Sequence, residues 1–190
     1  FDNDQAEVAS LTLPGVALNM GDGAPAYTPG PGLASISSGT PWPWTGGVGL
    51  KRGYGFIPEP GVIPTALFQE TNVQISMLPG FQIEPGATTT YSFHFVVSDD
   101  GTTTIDKAYA ALNEAPVATL HGHVSNETGW AEEGEDFPSN TGGRSWVAIT
   151  READVLALTP VAADGSWSAV VSPGDVQVQA FAPGRGGSEP

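Results

Sequence analysis

The stretch "DGSWSAVVSPGDVQVQAF", residues 164–181, decides how this chain folds. Asp-Gly and Pro-Gly are turn dipeptides, because glycine reaches positive φ at no steric cost and proline presets the first turn position. The runs that follow each turn alternate in polarity with period two. Trp167, Ala169 and Val171 share one face of the first run and Ser166, Ser168 and Val170 the other, while Val176, Val178 and Ala180 repeat the pattern after the second turn. The stretch therefore reads as a two-strand unit of an antiparallel sandwich, with one face turned to a core.

Further strands lie upstream at 117–124 ("VATLHGHV"), 144–150 ("RSWVAIT") and 155–158 ("VLAL"). With turns between them they make a small antiparallel sandwich over residues 116–190. A long acidic loop, "SNETGWAEEGEDFPSNTGG" at 125–143, interrupts it. Before it, "NEAP" at 113–116 ends a helix, since Pro116 forces the residue ahead of it out of the helical region. The spacing predicts that helix over 103–112: Ile105, Ala108, Tyr109 and Leu112 form one apolar stripe, and Asp106 sits in the first turn where the helix dipole favours negative charge. "NEAP" is also the expected boundary between a β-rich domain at 1–115 and the sandwich at 116–190.

In the first part, strands are expected at 8–13, 16–20, 65–68, 73–78 and 88–97. The last, "TTTYSFHFVV", is β-branched and aromatic nearly throughout. "SGTPWPWTGGVGLKRGYGFIPEPG" at 38–61 alternates Trp42, Trp44, Tyr54 and Phe56 with prolines and glycines, which suits an extended segment near tight turns. The expected fold is all-β, two β-sandwich-like domains with one short helix near the end of the first. The 25 Gly and 17 Pro among 190 residues then serve as turns between short strands.

Composition excludes several functions. Six basic against 21 acidic residues give a net charge of −15, which repels phosphate backbones and anionic membranes, so no nucleic acid partner is expected. No apolar run is long enough to insert in a membrane. The absence of cysteine removes disulfides, thiolate metal sites and Cys nucleophiles. Acidity, few lysines and many Gly, Pro, Ser and Thr suit an exported protein, secreted or held at the cell surface or in the periplasm.

Candidate chemistry is sparse. His121 and His123 point to one face of a strand and, with His94, are all the histidines; imidazole nitrogens bind Zn or Cu, but strand residues held by hydrogen bonds are the plainer reading. Glu127, Glu132, Glu133, Glu135 and Asp136 in the acidic loop offer hard oxygen ligands for Ca²⁺ without the EF-hand spacing. Asp99-Asp100-Gly101 reads as a turn and helix cap. No G-x-S-x-G, G-x-G-x-x-G or paired-carboxylate pattern occurs, so the chain as given is read as noncatalytic. Trp42, Trp44, Tyr54 and Trp130 could stack on sugar rings; Trp42 and Trp44 could equally plug a sandwich edge, which leaves Trp130 as the exposed ring.

The order "ATLHGHV", variable loop, "RSWVAIT", "VLALTPVAADGSWSAVVSPGDVQVQAFAPGRG" resembles the carboxypeptidase regulatory-like domain, a transthyretin-like β-sandwich. The long acidic loop departs from that pattern, which has a short turn there. More broadly, "PWPWTGGVGLKRGYGFI" followed by "YSFHFVVSDDGTTTIDKAYAAL" resembles the region ahead of the PHP-type metallohydrolase domain in CehA/McbA-like secreted proteins. These resemblances imply noncatalytic accessory modules that scaffold or position a neighbouring hydrolase domain, or mediate surface contacts, with "APGRGGSEP" at 182–190 as a linker. A subunit of a surface fibre or layer, a homo-oligomer joined through an edge strand donated by "FDNDQAEVASLTL", is the alternative. A carbohydrate-binding module using the exposed aromatics is a third reading.

Overall fold

The computed structural model describes residues 3–4, 6–11, 15–19, 24–37, 39–49, 52–125, 145–182 and 186–187. Along the chain run β1 (Ala9–Leu11), β2 (Gly15–Asn19), β3 (Ala26–Tyr27), β4 (Thr40–Pro41), β5 (Thr45–Val48), β6 (Gly53–Pro58), β7 (Thr65–Glu70), β8 (Val73–Met77), β9 (Phe81–Ile83) and β10 (Phe93–Ser98). Helix α1 (Thr103–Leu112) comes next, and then β11 (Ala118–His123), β12 (Trp146–Arg151), β13 (Asp154–Pro160), β14 (Ser166–Val171), β15 (Gln177–Ala182) and β16 (Gly186–Gly187). Among the described residues the fold is all-β with one short helix, and all the strand pairs are antiparallel.

Upstream of the helix, the strands form the sheets β2-β8-β7-β4 and β10-β6-β5-β3, with β1 and β9 as a separate pair. Downstream, the sheets β13-β12-β15-β16 and β11-β14 face each other. Between these two sheets lie Val147, Ile149, Ala157, Ala169 and Val171, with Leu120, Trp167, Val176 and Ala180 packed around them. This is the sandwich that alternation in the 164–181 stretch implies. Its Asp164-Gly165 turn is built as expected: Gly165 adopts φ +88°, and Asp164 accepts hydrogen bonds from both the backbone N–H and the hydroxyl of Ser166.

The other face of the β12 sheet is not solvated. Trp146, Ala148 and Leu158 point away from the sandwich interior into a second core with Tyr27, Trp44, Val48, Ile57 and Ile105. That core draws on both sides of position 115/116, so the two parts of the chain share one hydrophobic interior. Strand β12 carries the run Trp-Val-Ala-Ile because both of its faces are buried, the pattern usual for a central strand. β14 departs from simple alternation in the same way: Ala169, Val170 and Val171 are all buried, since α1 lies against this strand.

Helix α1 is the filling between the layers. Ile105 rests on β6, where a Cβ on Gly55 would collide with Ile105 Cγ2, so only glycine lets the helix approach this closely. Asp100 caps the helix by accepting from the Thr104 N–H at 2.9 Å and the Thr104 hydroxyl at 3.0 Å, as the turn-and-cap reading requires. Backbone bonds fasten the helix start to the sandwich: Thr102 N–H donates to Leu158 O at 2.8 Å, and Leu158 N–H to Thr102 Oγ1 at 3.1 Å. An isolated bridge joins Gly30 and Val155 at the same junction.

Candidate contact surface

β10 is the edge of its sheet and pairs with β6 over six residues without a register shift. The pairing opposes Phe93 to Pro58, Phe95 to Phe56 and Val97 to Tyr54. Opposed residues lie on one side of a pleated sheet, so these six side chains form a single apolar face. Its rings pack in two pairs, Tyr54 with Phe95 (centroids 6.3 Å apart, planes at 21°) and Phe56 with Phe93 (4.3 Å, 30°). The reverse face holds Gly55 and Ile57 and receives α1.

Part of the aromatic face is open. Phe95 is 64% exposed and Val97 47%, while Tyr54, Phe56 and Phe93 are half-buried. No described strand lies along the outer side of β10. The strand contains no proline, lysine or bulge, the devices that usually protect a sheet edge. Beside it, Arg52 and Asp99 form an exposed ion pair at 3.6 Å.

Some of the other edges carry such a device. β4 ends in Pro41, β3 and β16 are two residues long, and β13 has a bulge in its pairing and is bridged by Gly30. Within the N-terminal segment offered as a donor strand, Asn3 and residues 9–11 are engaged with their own chain. Ala9, Ser10 and Leu11 pair with Ile83, Gln82 and Phe81, and the buried Asn3 amide donates to Ile83 O at 2.7 Å and Glu7 O at 2.9 Å.

The candidate residues read from the sequence scatter. Trp42 and Trp44, 2% and 1% exposed, are core residues rather than sugar platforms, so the edge-plug reading is the one that fits them. Prolines and tight turns on either side bring them inward, where their area is best used. Tyr54 does lie on the open face. His121 and His123 share the exposed face of β11, and His123 Nε2 meets Asp164 O at 2.7 Å, while His94 is on β10 in a different sheet. Among the described residues no group of three His, Asp or Glu side chains is placed to hold a metal ion. Glu127, Trp130, Glu132, Glu133, Glu135 and Asp136 fall outside the described residues. No described helix is long and apolar enough to cross a membrane.

One buried titratable site was not visible in the sequence. Asp106 Oδ1 accepts a hydrogen bond from Trp44 Nε1 at 2.9 Å, and its Oδ2 is buried without a partner. Burial pushes this carboxyl up to about 8, and the nearby Asp100 charge adds to the effect, against hydrogen bonds from Thr102 and Trp44 that favour the charged form. Tyr27, stacked on Trp44, is likewise raised well above the ordinary phenol value by its burial and by Asp106. Its hydroxyl donates to Val155 O at 3.1 Å. Asp164, fully exposed, is instead held below the usual carboxylate value by its bonds from Ser166.

No protein-family model matches the chain, and neither does any curated protein or solved structure. The open face itself was missed from the sequence because "FHFVV" looks like any buried strand. Its lack of polar alternation marks burial on both sides or an uncovered apolar side, and only the stacking of layers on that face separates the two.

Proposed function

We propose that this chain is a noncatalytic, exported β-sandwich module that works by contact, positioning a neighbouring domain or subunit. The observation that carries this reading is the open aromatic edge of β6 and β10, an apolar face beside an unguarded strand. A surface of that kind serves association, since uncovered apolar area and free ladder groups both gain from a partner. The shared core beneath supports the reading, because it gives the edge a rigid backing. The resemblance of residues 117–186 to carboxypeptidase regulatory-like domains agrees with it, as does the likeness to regions ahead of PHP-type hydrolase domains.

Two measurements on the natural polypeptide test it. The isolated chain should turn over none of a panel of ester, phosphoester and peptide substrates, and robust turnover abolished by a single side-chain substitution would overturn the reading. A denatured mass well above 19.6 kDa would favour the hydrolase-accessory form of it. A mass near 19.6 kDa with very large native assemblies would favour a fibre or layer subunit.

A further inference from the structure

β13 ends the sandwich sheet on one side, and residues from upstream seal its outer edge. Gly30 N–H donates to Val155 O at 3.0 Å and Val155 N–H to Gly30 O at 2.7 Å, while the Tyr27 hydroxyl adds a second bond to Val155 O at 3.1 Å. Further along the same edge, Leu158 exchanges bonds with Thr102 at 2.8 and 3.1 Å. Both ends of this seal lead to one carboxyl. Tyr27 stacks on Trp44 with centroids 5.3 Å apart, and Trp44 Nε1 donates to Asp106 Oδ1 at 2.9 Å. The Thr102 hydroxyl that receives Leu158 N–H also bonds the Asp106 side chain.

We infer that Asp106 is a proton-operated latch on the β13 edge: with its proton it seats Trp44, Tyr27 and Thr102 against the sandwich, and on losing it releases them and bares that edge. The reason is the second carboxyl oxygen. Oδ2 is buried without a partner, so ionisation puts charge on an atom with no hydrogen-bond donor, and water reaches it only if Trp44 or the start of α1 moves aside. Either motion loosens the seal, because Trp44 carries Tyr27 and the start of α1 carries Thr102. The sandwich survives the release, since its interior of Val147, Ile149, Ala157, Ala169 and Val171 takes nothing from upstream of the helix. A strand edge freed in this way can take an extended partner, which the seal otherwise prevents.

The groups around Asp106 set the direction. Tyr27 faces it from β3 and Asp100 from the turn ahead of the helix, and neither is a cation. β10 brings the exposed His94, β13 the exposed Asp154 beside Gly30, and the helix itself the exposed Lys107 and Tyr109. Tyr54 of β6 projects to the opposite face of its sheet, and β5 and β14 carry no titratable side chain. Arg151, at the end of β12, is engaged with the carbonyls of Ser172, Pro173 and Asp175. Among the described residues the single ion pair joins Arg52 to Asp99, so no cation holds a charge on Asp106. Burial accordingly keeps the proton in place up to about 8, and the latch is shut below that value and yields as pH rises through it.

Hydrogen exchange resolved to single amides reads the latch on the unmodified chain. From about pH 6 to about pH 9, after correction for the intrinsic rate, protection of the sealing amides of Gly30, Thr102, Val155 and Leu158 should fall at least ~10-fold, while the ladder amides of β7 and β8 keep theirs. Asp106→Asn keeps an acceptor for Trp44 and cannot ionise, so its sealing amides should hold at both pH values. Tyr27→Phe removes the hydroxyl bond to Val155 without touching the carboxyl, and should weaken protection at Gly30 and Val155 already at about pH 6. A loss spread evenly over all strands, a loss that persists in Asp106→Asn, or no loss at all overturns the latch, and so does an unaltered seal in Tyr27→Phe.

Discussion

Trp44 and Asp106, sixty-two residues apart, meet through a 2.9 Å hydrogen bond from the indole N–H to a carboxylate oxygen whose twin, Oδ2, is buried and unpartnered. The pair sits where the sheet of β3, β5 and β6, helix α1 and the β12 sheet converge. A charge there has lost its water on one side and gained only part of it back.

Asp106 therefore makes stability fall as pH rises. Its folded value of about 8 lies above the 3.8 of the unfolded chain, so between these limits the folded state holds the proton that the unfolded state releases. Stability from this group is whole below pH 4 and declines by up to ~1.4 kcal/mol per unit until it levels near 8. Urea midpoints measured from pH 5.5 to 9 should show the decline, and Asp106→Asn, which keeps the acceptor for Trp44, should flatten it and be the more stable protein at pH 8.5. A wild-type slope unchanged in the variant would assign the effect elsewhere.

The seat of α1 on β6 predicts coupled substitutions. Gly55→Ala forces its new methyl into Ile105 and should cost ~1–3 kcal/mol, and Ile105→Ala opens a cavity worth ~2–5 kcal/mol. Combined, the two should cost clearly less than their sum, because the truncated side chain at position 105 no longer occupies the space that the added methyl at position 55 needs. Strict additivity in denaturant unfolding would contradict the close contact.

A buried polar cluster ties the two upstream sheets. Thr28 donates to Gln69 Oε1 at 2.7 Å, Gln69 Nε2 donates to Gly32 O at 3.0 Å and Ala34 O at 2.8 Å, and Gln74 Nε2 reaches both Gln69 Oε1 and Thr28 Oγ1. Gln69→Met strands several partners at once and should lower stability by at least ~2 kcal/mol. Gln74→Met should cost less, since Gln74 Oε1 already lacks a partner. Equal losses in the two variants would mean that the cluster is not organised around Gln69.

Asp164 tests the turn on which the fold reading rests. Carbon-detected NMR should place its titration below that of an ordinary aspartate, because Ser166 donates twice to the charged form. Ser166→Ala removes the hydroxyl bond and should move the midpoint upward while the backbone bond remains. A midpoint insensitive to that change would remove the hydroxyl as a cause.

Local chemistry determined much of this molecule. The helix occupies 103–112 as its stripe implies, the strand at 166–171 keeps its bounds, and β2, β7, β8, β11, β12, β13 and β15 lie within a few residues of the alternating runs that announce them. These features depend on neighbours in the chain, through period, turn residues and caps. The strand β10 begins later than its β-branched run, at Phe93 instead of 88, and β5, β6 and β9 were not separable as strands because glycine and proline dilute their pattern.

What sequence left open was set by packing between distant segments. Trp42 and Trp44 could be platforms or core, and the choice fell to core only once the surrounding layers closed over them, α1 and the β12 sheet in the case of Trp44. Asp106, well placed for a helix dipole, became a buried acid because Trp44 and Tyr27 arrive from far upstream. The same holds for the open face: Phe95 is exposed because no described layer covers that face of the β10 sheet, and the stacking of layers is a property of the assembled fold, not of any local run of residues.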